Sequence, residues 1–285
     1  MSRPTLGVVA ISYNEEKDLP RFLEHLLPWV DEIVIVDDGS TDSTKRIASS
    51  AGSKVQFVEK PREDGEYFSH QRNKGIEAAK SDWLLHMDID ERVTKDLADE
   101  VIAAITRDDM DGFRFRRLNY YLHRPFPLGG WQHWNLVHLA RRPLLHFAGK
   151  SHETCVLNAP AERVGQLRQL MHHLNDESFS ERLRKNVGYA EEAAETILES
   201  GKKIRFYHII LYPLYRFLKA YFFERAFLGG VQGLIFSLQT CSGTFNWYAV
   251  AWDRQNLIPR EELESSIDIH SHRHPPTHAE SNRRG

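Results

Sequence analysis

The sequence predicts an α/β protein in which helices cover both faces of a mainly parallel sheet. Two observations predict it. Short, almost wholly apolar segments alternate with amphipathic ones over roughly the first hundred residues, and each apolar segment ends in polar or turn-forming residues. Buried parallel strands have this near-continuous apolar pattern. Because ligands bind beyond the carboxyl ends of such strands, the polar residues that follow them are the candidate site.

Apolar residues at helical spacing and short continuous apolar runs define the helices and strands of the first half of the chain. Leu19, Phe22 and Leu23 recur at helical spacing and give one helix an apolar face. Ser40 or Thr41 is suited to cap the next helix, because a hydroxyl oxygen accepts a hydrogen bond from a backbone amide. The predicted strands cover residues 6–11, 33–36, 55–58 and 83–87, and the predicted helices cover 19–27, 41–51, 69–80 and 94–105.

The pattern changes after Asp111. Phe113 and Phe115 alternate with arginines, which indicates a strand with one apolar face. Two further apolar stretches, residues 136–140 and 144–147, are short and bounded by polar residues. We therefore expect short, mixed strands in this part of the chain.

The last third of the chain is predicted to be helical. Ser178 begins a capping box that Glu181 completes, and apolar residues then recur at helical spacing as far as Gly201. Residues 204–251 hold 13 of the 31 aromatic residues but only five charged ones. We expect a sheet-containing domain over residues 1–200, a helical extension over 201–258 and a disordered, histidine-rich tail over 259–285.

The aromatic segment is a candidate for membrane attachment. Aromatic side chains interleaved with lysine and arginine suit a helix that lies in a membrane interface near anionic lipids. Its glycines and amides make it too polar to predict a transmembrane helix. A helical extension packed on the domain, or a subunit interface, is the alternative. The residues expected at the lipid boundary are Tyr212, Tyr215, Arg216, Lys219, Phe222, Phe223 and Arg225.

Composition excludes several classes of protein. A formal net charge of −3 argues against a nucleic-acid binder with a strongly basic surface. The aromatic content supplies enough apolar surface to exclude disorder throughout. Cys155 and Cys241 are the only cysteines, so neither a disulfide framework nor a thiolate zinc site is indicated. Acidic residues precede any apolar stretch of signal-peptide length, so we expect a cytoplasmic protein.

Asp88 and Asp90 follow the fourth predicted strand and are candidate metal ligands. Carboxylates two residues apart beyond a strand end can converge on one divalent cation. Mg²⁺ or Mn²⁺ suits such a site, since these ions take few protein ligands and bind phosphate oxygens as well. The alternative is a solvated acidic turn that caps the next helix.

Two further motifs lie at the same predicted rim. Asp37 and Asp38 follow the second strand, where a carboxylate can accept hydrogen bonds from a nucleobase and a ribose. Arg72 opens the third helix and can bind a base or a diphosphate in bidentate fashion. A turn with a helix cap, and a surface arginine, are the respective alternatives.

Taken in order, these motifs resemble one family. The chain is similar to the inverting glycosyltransferases of family 2, which have the GT-A fold, and within them to bacterial β-1,4-glucosyltransferases of lipopolysaccharide core assembly. The resemblance covers roughly residues 5–250 and does not specify the sugar. It rests on the segments AISYNEE, VIVDDGSTD, HQRNKGIEAAKSDWLLHMDIDE and GKSHE.

The resemblance implies a nucleotide pocket at the ends of the first two strands. Tyr13 and Asp38 would contact the nucleoside, and Asn14, Glu15 and Asp37 would shape the same pocket.

It also implies the catalytic centre. Arg72 would support the base or diphosphate, Asp88 would lie near the ribose and the metal, and Asp90 would bind the metal directly. His173 would approach the diphosphate or the metal. Glu153 would be the general base that deprotonates the acceptor hydroxyl.

Two points stay open in the sequence. Asp176 and Glu177 are rivals to the predicted base. The subgroup has an arginine where this chain has His138, so Arg141 or Arg142 is expected to compensate.

The function expected is transfer of a sugar, from a UDP-sugar most simply, to a hydroxyl of a lipid-linked saccharide in lipopolysaccharide core or envelope glycan biosynthesis. The enzyme would need Mn²⁺ or Mg²⁺ and would lie on the inner face of the cytoplasmic membrane. A protein or peptide glycosyltransferase, and a non-catalytic membrane-bound scaffold with the same fold, are the alternatives.

Overall fold

The structure is a computed structural model that describes residues 3–149, 154–175 and 178–267. Its first half alternates strands and helices. The strands are β1 (Leu6–Ser12), β2 (Glu32–Asp37), β3 (Val55–Glu59), β4 (Trp83–His86) and β5 (Glu91–Arg92), and the helices are α1 (Leu19–Leu26), α2 (Thr44–Ser50), α3 (Phe68–Ala78) and α4 (Lys95–Ala104).

The second half contains the remaining strands and then only helices. The strands are β6 (Gly112–Tyr121), β7 (Arg124–Pro125), β8 (Asn135–Arg141), β9 (Leu145–Ala148), β10 (Thr154–Leu157) and β11 (Val164–His173). The helices are α5 (Phe179–Glu199), α6 (Phe206–Leu218) with a π-helical turn (Lys219–Phe223), α7 (Gly230–Gln255) and α8 (Arg260–Ser266).

The predicted fold class, an α/β GT-A sheet with helices on its faces, is confirmed. The main sheet has the strand order β3-β2-β1-β4-β8-β6-β11-β5. The first four strands are parallel, β8 is antiparallel to both β4 and β6, and β11 is parallel to β6. The order brings β6 and β11 beside the parallel strands, although they are distant in sequence.

Apolar side chains on the four parallel strands explain why they form the centre of the molecule. Val8, Ile33, Ile35 and Leu85 are fully buried in one core. Helix α3 packs closely on the other face, because Gly75 has no side chain: a Cβ there would lie 2.4 Å from Val9 Cγ1. This contact fixes the height of α3 above the sheet.

Helix α2 begins at Thr44, three residues later than the sequence predicted. The Asp42 carboxylate accepts hydrogen bonds from the backbone amide and hydroxyl of Thr44 at 2.9 and 2.5 Å. Residues 39–42 are therefore a turn held by carboxylates, and neither Ser40 nor Thr41 caps the helix. Short polar side chains that bond nearby backbone amides compete with helix formation in this way.

The helical region packs against the sheet domain and against itself. Helix α5 begins as predicted, with the Ser178 hydroxyl accepting from the Glu181 amide at 3.1 Å. Helix α7 contacts both α5 and α6, and its Phe236 packs on Tyr121 and Phe126. In the described ranges, no helix is both long and apolar enough to span a membrane. The three predicted regions remain a prediction. Helix α8 occupies the start of the segment expected to be disordered, and the chain from residue 268 lies outside the described residues.

Candidate functional site

Asp37, the last residue of β2, holds the turn at the carboxyl end of the strand through hydrogen bonds. It is 2% exposed, and its Oδ1 accepts a hydrogen bond from the Ser12 hydroxyl at 2.7 Å. Its Oδ2 accepts from the amides of Gly39 and Ser40 at 3.0 and 2.7 Å. Both oxygens are thus used inside the turn, which limits Asp37 to shaping the pocket.

Asn14 joins the loops that follow β1 and β2. Its backbone has a φ of 56°, in the left-handed region that asparagine tolerates better than most residues. Its amide donates to the Ser40 hydroxyl, and its Oδ1 accepts from the Thr41 amide, both at 2.8 Å. Tyr13 is left 58% exposed at the mouth of this pocket, so its ring is available to a ligand.

Asp38 lies at the same rim and is held by partners the sequence did not indicate. Its two oxygens accept from the backbone amide and the Nε of Arg62, each at 2.7 Å, and Oδ1 also accepts from Gln71 at 3.1 Å. Partial burial opposes ionisation, but the bonds from Arg62 outweigh it and lower the pKa of Asp38. Asp38 is therefore a carboxylate fixed in position, suited to accept hydrogen bonds from a base or ribose.

Asp88 is held between two arginines. Arg72 donates to Oδ1 at 2.8 Å, and Arg117 lies 3.3 Å from Oδ2. Arg117 also lies 2.6 Å from the buried Glu91, whose Oε2 accepts from the Asp88 amide at 2.8 Å. Burial would raise the pKa of Asp88, but the two guanidinium groups outweigh it and hold that pKa well below its usual range. Asp88 is thus ionised.

Asp90, Asp88 and His173 converge as a candidate metal site. One ligand atom from each lies within 4.8 Å of the others, and His173 Nε2 is 3.1 Å from Asp90 Oδ2. The other ring nitrogen, Nδ1, lies 2.7 Å from Asn119 Oδ1. A proton on Nδ1 is donated to that oxygen and leaves the Nε2 lone pair for a metal ion, the arrangement that a histidine ligand needs.

Glu15 lies beside this cluster. Burial and the negative charges of Asp90 and Asp18 together raise its pKa to about 7, against the opposing effect of Lys185 of α5. The charges of a candidate metal ligand and of α5 therefore both affect the ionisation of Glu15. Its amide donates to the Thr44 hydroxyl at 2.7 Å, which ties the loop to α2.

The arginine missing at position 138 is not replaced by Arg141 or Arg142, and that expectation is wrong. Arg141 binds Asp111 at 3.2 Å, and Arg142 donates to the Ser81 carbonyl at 3.1 Å, at the other end of β4 and β8. Burial lowers the pKa of His138 to about 4, so its ring is neutral. Arg117 of the neighbouring strand provides the positive charge at the site instead.

The predicted base, Glu153, lies outside the described residues, as do its rivals Asp176 and Glu177. The chain that precedes Glu153 is held against α3 by hydrogen bonds. Asn73 Nδ2 donates to the Phe147 carbonyl at 2.9 Å, and the Ser69 hydroxyl donates to the Gly149 carbonyl at 2.8 Å. Strand β9 is therefore fixed against α3, one residue from Arg72, before the chain reaches position 153.

Sequence reasoning missed Arg117, Glu91 and Asn119. A signal existed for two of them, because Arg117 and Asn119 continue the alternation that begins at Phe113 and Phe115. The sequence pattern did not show which strand lies next to β6. In the structure β6 pairs with β11, and this pairing brings Asn119 beside His173.

Comparison with known proteins places this geometry in context. The family model described as Glycosyl transferase family 2 matches residues 7–157. A lipopolysaccharide core biosynthesis glycosyltransferase, LpsC of Rhizobium meliloti, is 29% identical over 92% of this chain and 97% of its own length. An uncharacterized glycosyltransferase of Rickettsia typhi is 26% identical over 82% of each chain. Among solved structures, S. aureus TarS in complex with UDP-GlcNAc is similar with a TM-score of 0.47, 17% identity and coverage of 88% and 91%.

Proposed function

Because the chain belongs to glycosyltransferase family 2, we propose that it is an inverting, metal-dependent enzyme that moves a sugar from a UDP-sugar to a hydroxyl of a saccharide acceptor. The observation that carries the proposal is the convergence of Asp88, Asp90 and His173 beside Arg72 and Arg117, beyond the carboxyl end of β4. Ligands of α/β sheets bind at such an edge.

The donor set fits a divalent cation. Carboxylates suit Mn²⁺ and Mg²⁺, and the added imidazole favours Mn²⁺. Asp90 and His173 would bind the ion directly, while Asp88, already engaged by Arg72 and Arg117, would complete the site or accept from the ribose. When bound, such an ion neutralises the charge that develops on a departing diphosphate.

The chain's own residues supply the rest of donor binding. Tyr13 and Asp38 line the nucleoside side of the rim, and Asn14, Glu15 and Asp37 hold its loops. Arg72 is 7% exposed and preorganised by Asp88, so it can stabilise negative charge on the leaving group with little reorganisation.

Inversion needs one base on the acceptor side. The acceptor hydroxyl loses its proton as its oxygen attacks the anomeric carbon, and the nucleoside diphosphate leaves from the opposite face. We assign the role of accepting this proton to Glu153. This residue follows the strand that is fixed against α3 next to Arg72. Asp176 and Glu177 are the alternatives.

The acceptor proposed is a lipid-linked saccharide of the lipopolysaccharide core or of another envelope glycan. Support comes from LpsC, a lipopolysaccharide core biosynthesis glycosyltransferase, which aligns with this chain over nearly its whole length. A peptide acceptor is the second candidate, since the fold constrains the acceptor poorly.

A membrane-facing surface would suit such an acceptor. Phe222, Phe223, Phe227, Leu228 and Val231 are each at least 44% exposed and lie within ten residues of the chain, together with Arg225. A cluster of this kind on a water-facing surface is typical of an interaction site. We propose that it rests on the inner face of the cytoplasmic membrane, which is where a cytoplasmic enzyme would meet a lipid-linked saccharide.

Donor hydrolysis tests the activity without knowledge of the acceptor. The purified protein, incubated with UDP-glucose, UDP-galactose or UDP-N-acetylglucosamine and Mn²⁺, should release UDP slowly from one of them and stop when a chelator is added. Metal-independent release would contradict the proposed metal site. Failure to bind or cleave any nucleotide sugar would favour the non-catalytic scaffold.

A further inference from the structure

A cleft of about 780 Å³ lies between the helical region and the loop that joins β6 to β8. Helix α5 forms one wall through Arg182, Asn186 and Tyr189, and α6 with its π-helical turn forms another through Arg216 and Lys219. No role in donor binding falls to any of these residues. The volume is that of a small-molecule site.

The cleft has the aromatic lining that sugar rings pack against. Trp131 and Trp247 contribute indole faces, and Arg182 lies over the Trp131 ring at 5.1 Å. Arg216 lies over the Trp247 ring at 5.9 Å. Aromatic walls with a few placed polar groups are typical of sites that orient an amphipathic ligand.

Basic side chains outnumber carboxylates on these walls. Gln239 uses its Oε1 to accept from the Tyr121 hydroxyl at 2.5 Å, while its buried Nε2 has no hydrogen-bond partner within the described ranges. Of the two carboxylates on the wall, Glu224 is already bonded to His133 at 2.7 Å, which leaves Glu192. Arg216 and Lys219 form no ion pair within the part of the chain that the structure describes. The cleft therefore carries three basic side chains, Arg182, Arg216 and Lys219, against two carboxylates, one of which is already engaged.

The cleft adjoins the donor site. Tyr121, which donates to Gln239 of the cleft, and Asn119, which lies against His173, are two residues apart on β6 and so project from the same face, roughly 7 Å apart. Helix α5 spans both regions, because Lys185 acts on the Glu15 carboxylate while Arg182, one turn earlier, lies on the cleft.

From this geometry we infer that the cleft binds the acceptor, and that the acceptor is a saccharide carrying an anionic group, a phosphate or a carboxylate, that is held by Arg216 and Lys219. The inference rests on the proposed glycosyl transfer and deepens it. Trp131 and Trp247 would contact the sugar rings, and the unpartnered Gln239 amide would donate to a sugar or phosphate oxygen. Charge-assisted bonds from two basic residues would make the anionic group a requirement for binding.

Binding of matched oligosaccharides tests the inference. The probe is the oligosaccharide obtained by complete deacylation of lipopolysaccharide, used before and after phosphatase treatment. Calorimetry and tryptophan fluorescence, in the presence of Mn²⁺ and UDP, should show binding of the phosphorylated probe at least about tenfold tighter than of the treated one. The Arg216→Gln/Lys219→Gln double variant should lose that difference. Arg184→Gln, exposed on another face of α5, should retain it.

Three outcomes would overturn the inference: equal binding of the two probes, unchanged preference in the double variant, or equal loss in Arg184→Gln.

A further experiment measures binding to phosphatidylglycerol vesicles. If the double variant loses binding to the vesicles but keeps its preference for the phosphorylated probe, the basic pair serves lipid headgroups and not the acceptor. UDP binding measured in the same proteins keeps the two hypotheses apart, because failure to bind UDP contradicts the glycosyl transfer itself.

Discussion

At the level of single residues, Glu153 carries the proposed proton transfer. Glu153→Gln keeps the shape of the side chain and removes its basicity, so transfer should fall by roughly 10²–10⁴ while UDP affinity is retained. Transfer assays beside UDP calorimetry separate the two effects. Asp176→Asn and Glu177→Gln are the matched comparisons. If Glu153→Gln transfers sugar as fast as the unmodified chain, one of those two residues is the base.

Asn119 is proposed to act through His173 and not on the substrate. Asn119→Ala removes the acceptor that fixes the proton on Nδ1, so Mn²⁺ affinity should fall by roughly 10–100-fold. Manganese titration monitored by calorimetry measures this. Asn135→Ala, whose side-chain amide donates to Gln166 of β11, is the control and should bind Mn²⁺ normally. Equal affinities in the two variants would contradict the positioning role.

Glu15 should make stability fall with rising pH in the metal-free protein. Its pKa is raised to about 7 by burial and by nearby carboxylates, so between the unfolded value of 4.5 and about 7 the folded state binds the extra proton. Stability is then lost as pH rises through this window. At pH values above neutral, Glu15→Gln should therefore increase the free energy of unfolding by about 1 kcal/mol, after allowance for partial exposure. Near pH 4.5 the substitution should make no difference. Denaturant titrations across this range measure it, and a pH-independent difference would count against this explanation.

At the level of secondary-structure elements, the turn between α6 and α7 is the segment proposed to meet the membrane. Phe223, Val231 and Leu228 are 81%, 74% and 64% exposed. Replacing all three with serine should reduce sedimentation with mixed phosphatidylcholine and phosphatidylglycerol vesicles by at least about tenfold, because their apolar burial in lipid is lost.

The control for this experiment is Leu183→Ser with Val187→Ser on α5. These side chains are also exposed, at 49% and 63%, but lie on another helix. An unmodified protein that remains in the supernatant at low salt, or a control that loses as much binding as the triple variant, would contradict membrane attachment. Arg216 and Lys219, which the sequence suggested for the lipid boundary, also line the cleft.

The elements themselves were predictable where local patterns determine them. β1, β2 and β4 consist mostly of buried apolar residues, and α5 begins at a capping box whose hydrogen bond forms as expected. The start of α2 was not predictable in this way, since residues 41–43 have polar side chains suited equally to a helix and to a turn. Asp37 and Asp42 decide it, because they draw the neighbouring amides into a turn.

At the level of the whole molecule, sequence reasoning identified the residues of the parallel strands' rim but not their partners from the other half. Asp88 and Asp90 were recognisable because they follow a strand directly. Arg117 and Asn119 were not, because their place beside the metal ligands depends on the strand order β4-β8-β6-β11, which no local pattern encodes. The cleft was missed for the same reason, since its walls come from segments far apart in the chain.

The central claim is that Asp88, Asp90 and His173 hold a divalent cation that binds the donor diphosphate. Calorimetric titration of UDP, with and without Mn²⁺, into the unmodified protein, Asp90→Asn and the surface control Asp99→Asn tests it most directly. UDP should bind the unmodified protein and Asp99→Asn tightly only with Mn²⁺, and Asp90→Asn should lose at least roughly tenfold in affinity. UDP binding that is independent of Mn²⁺, or unchanged in Asp90→Asn, would contradict the claim.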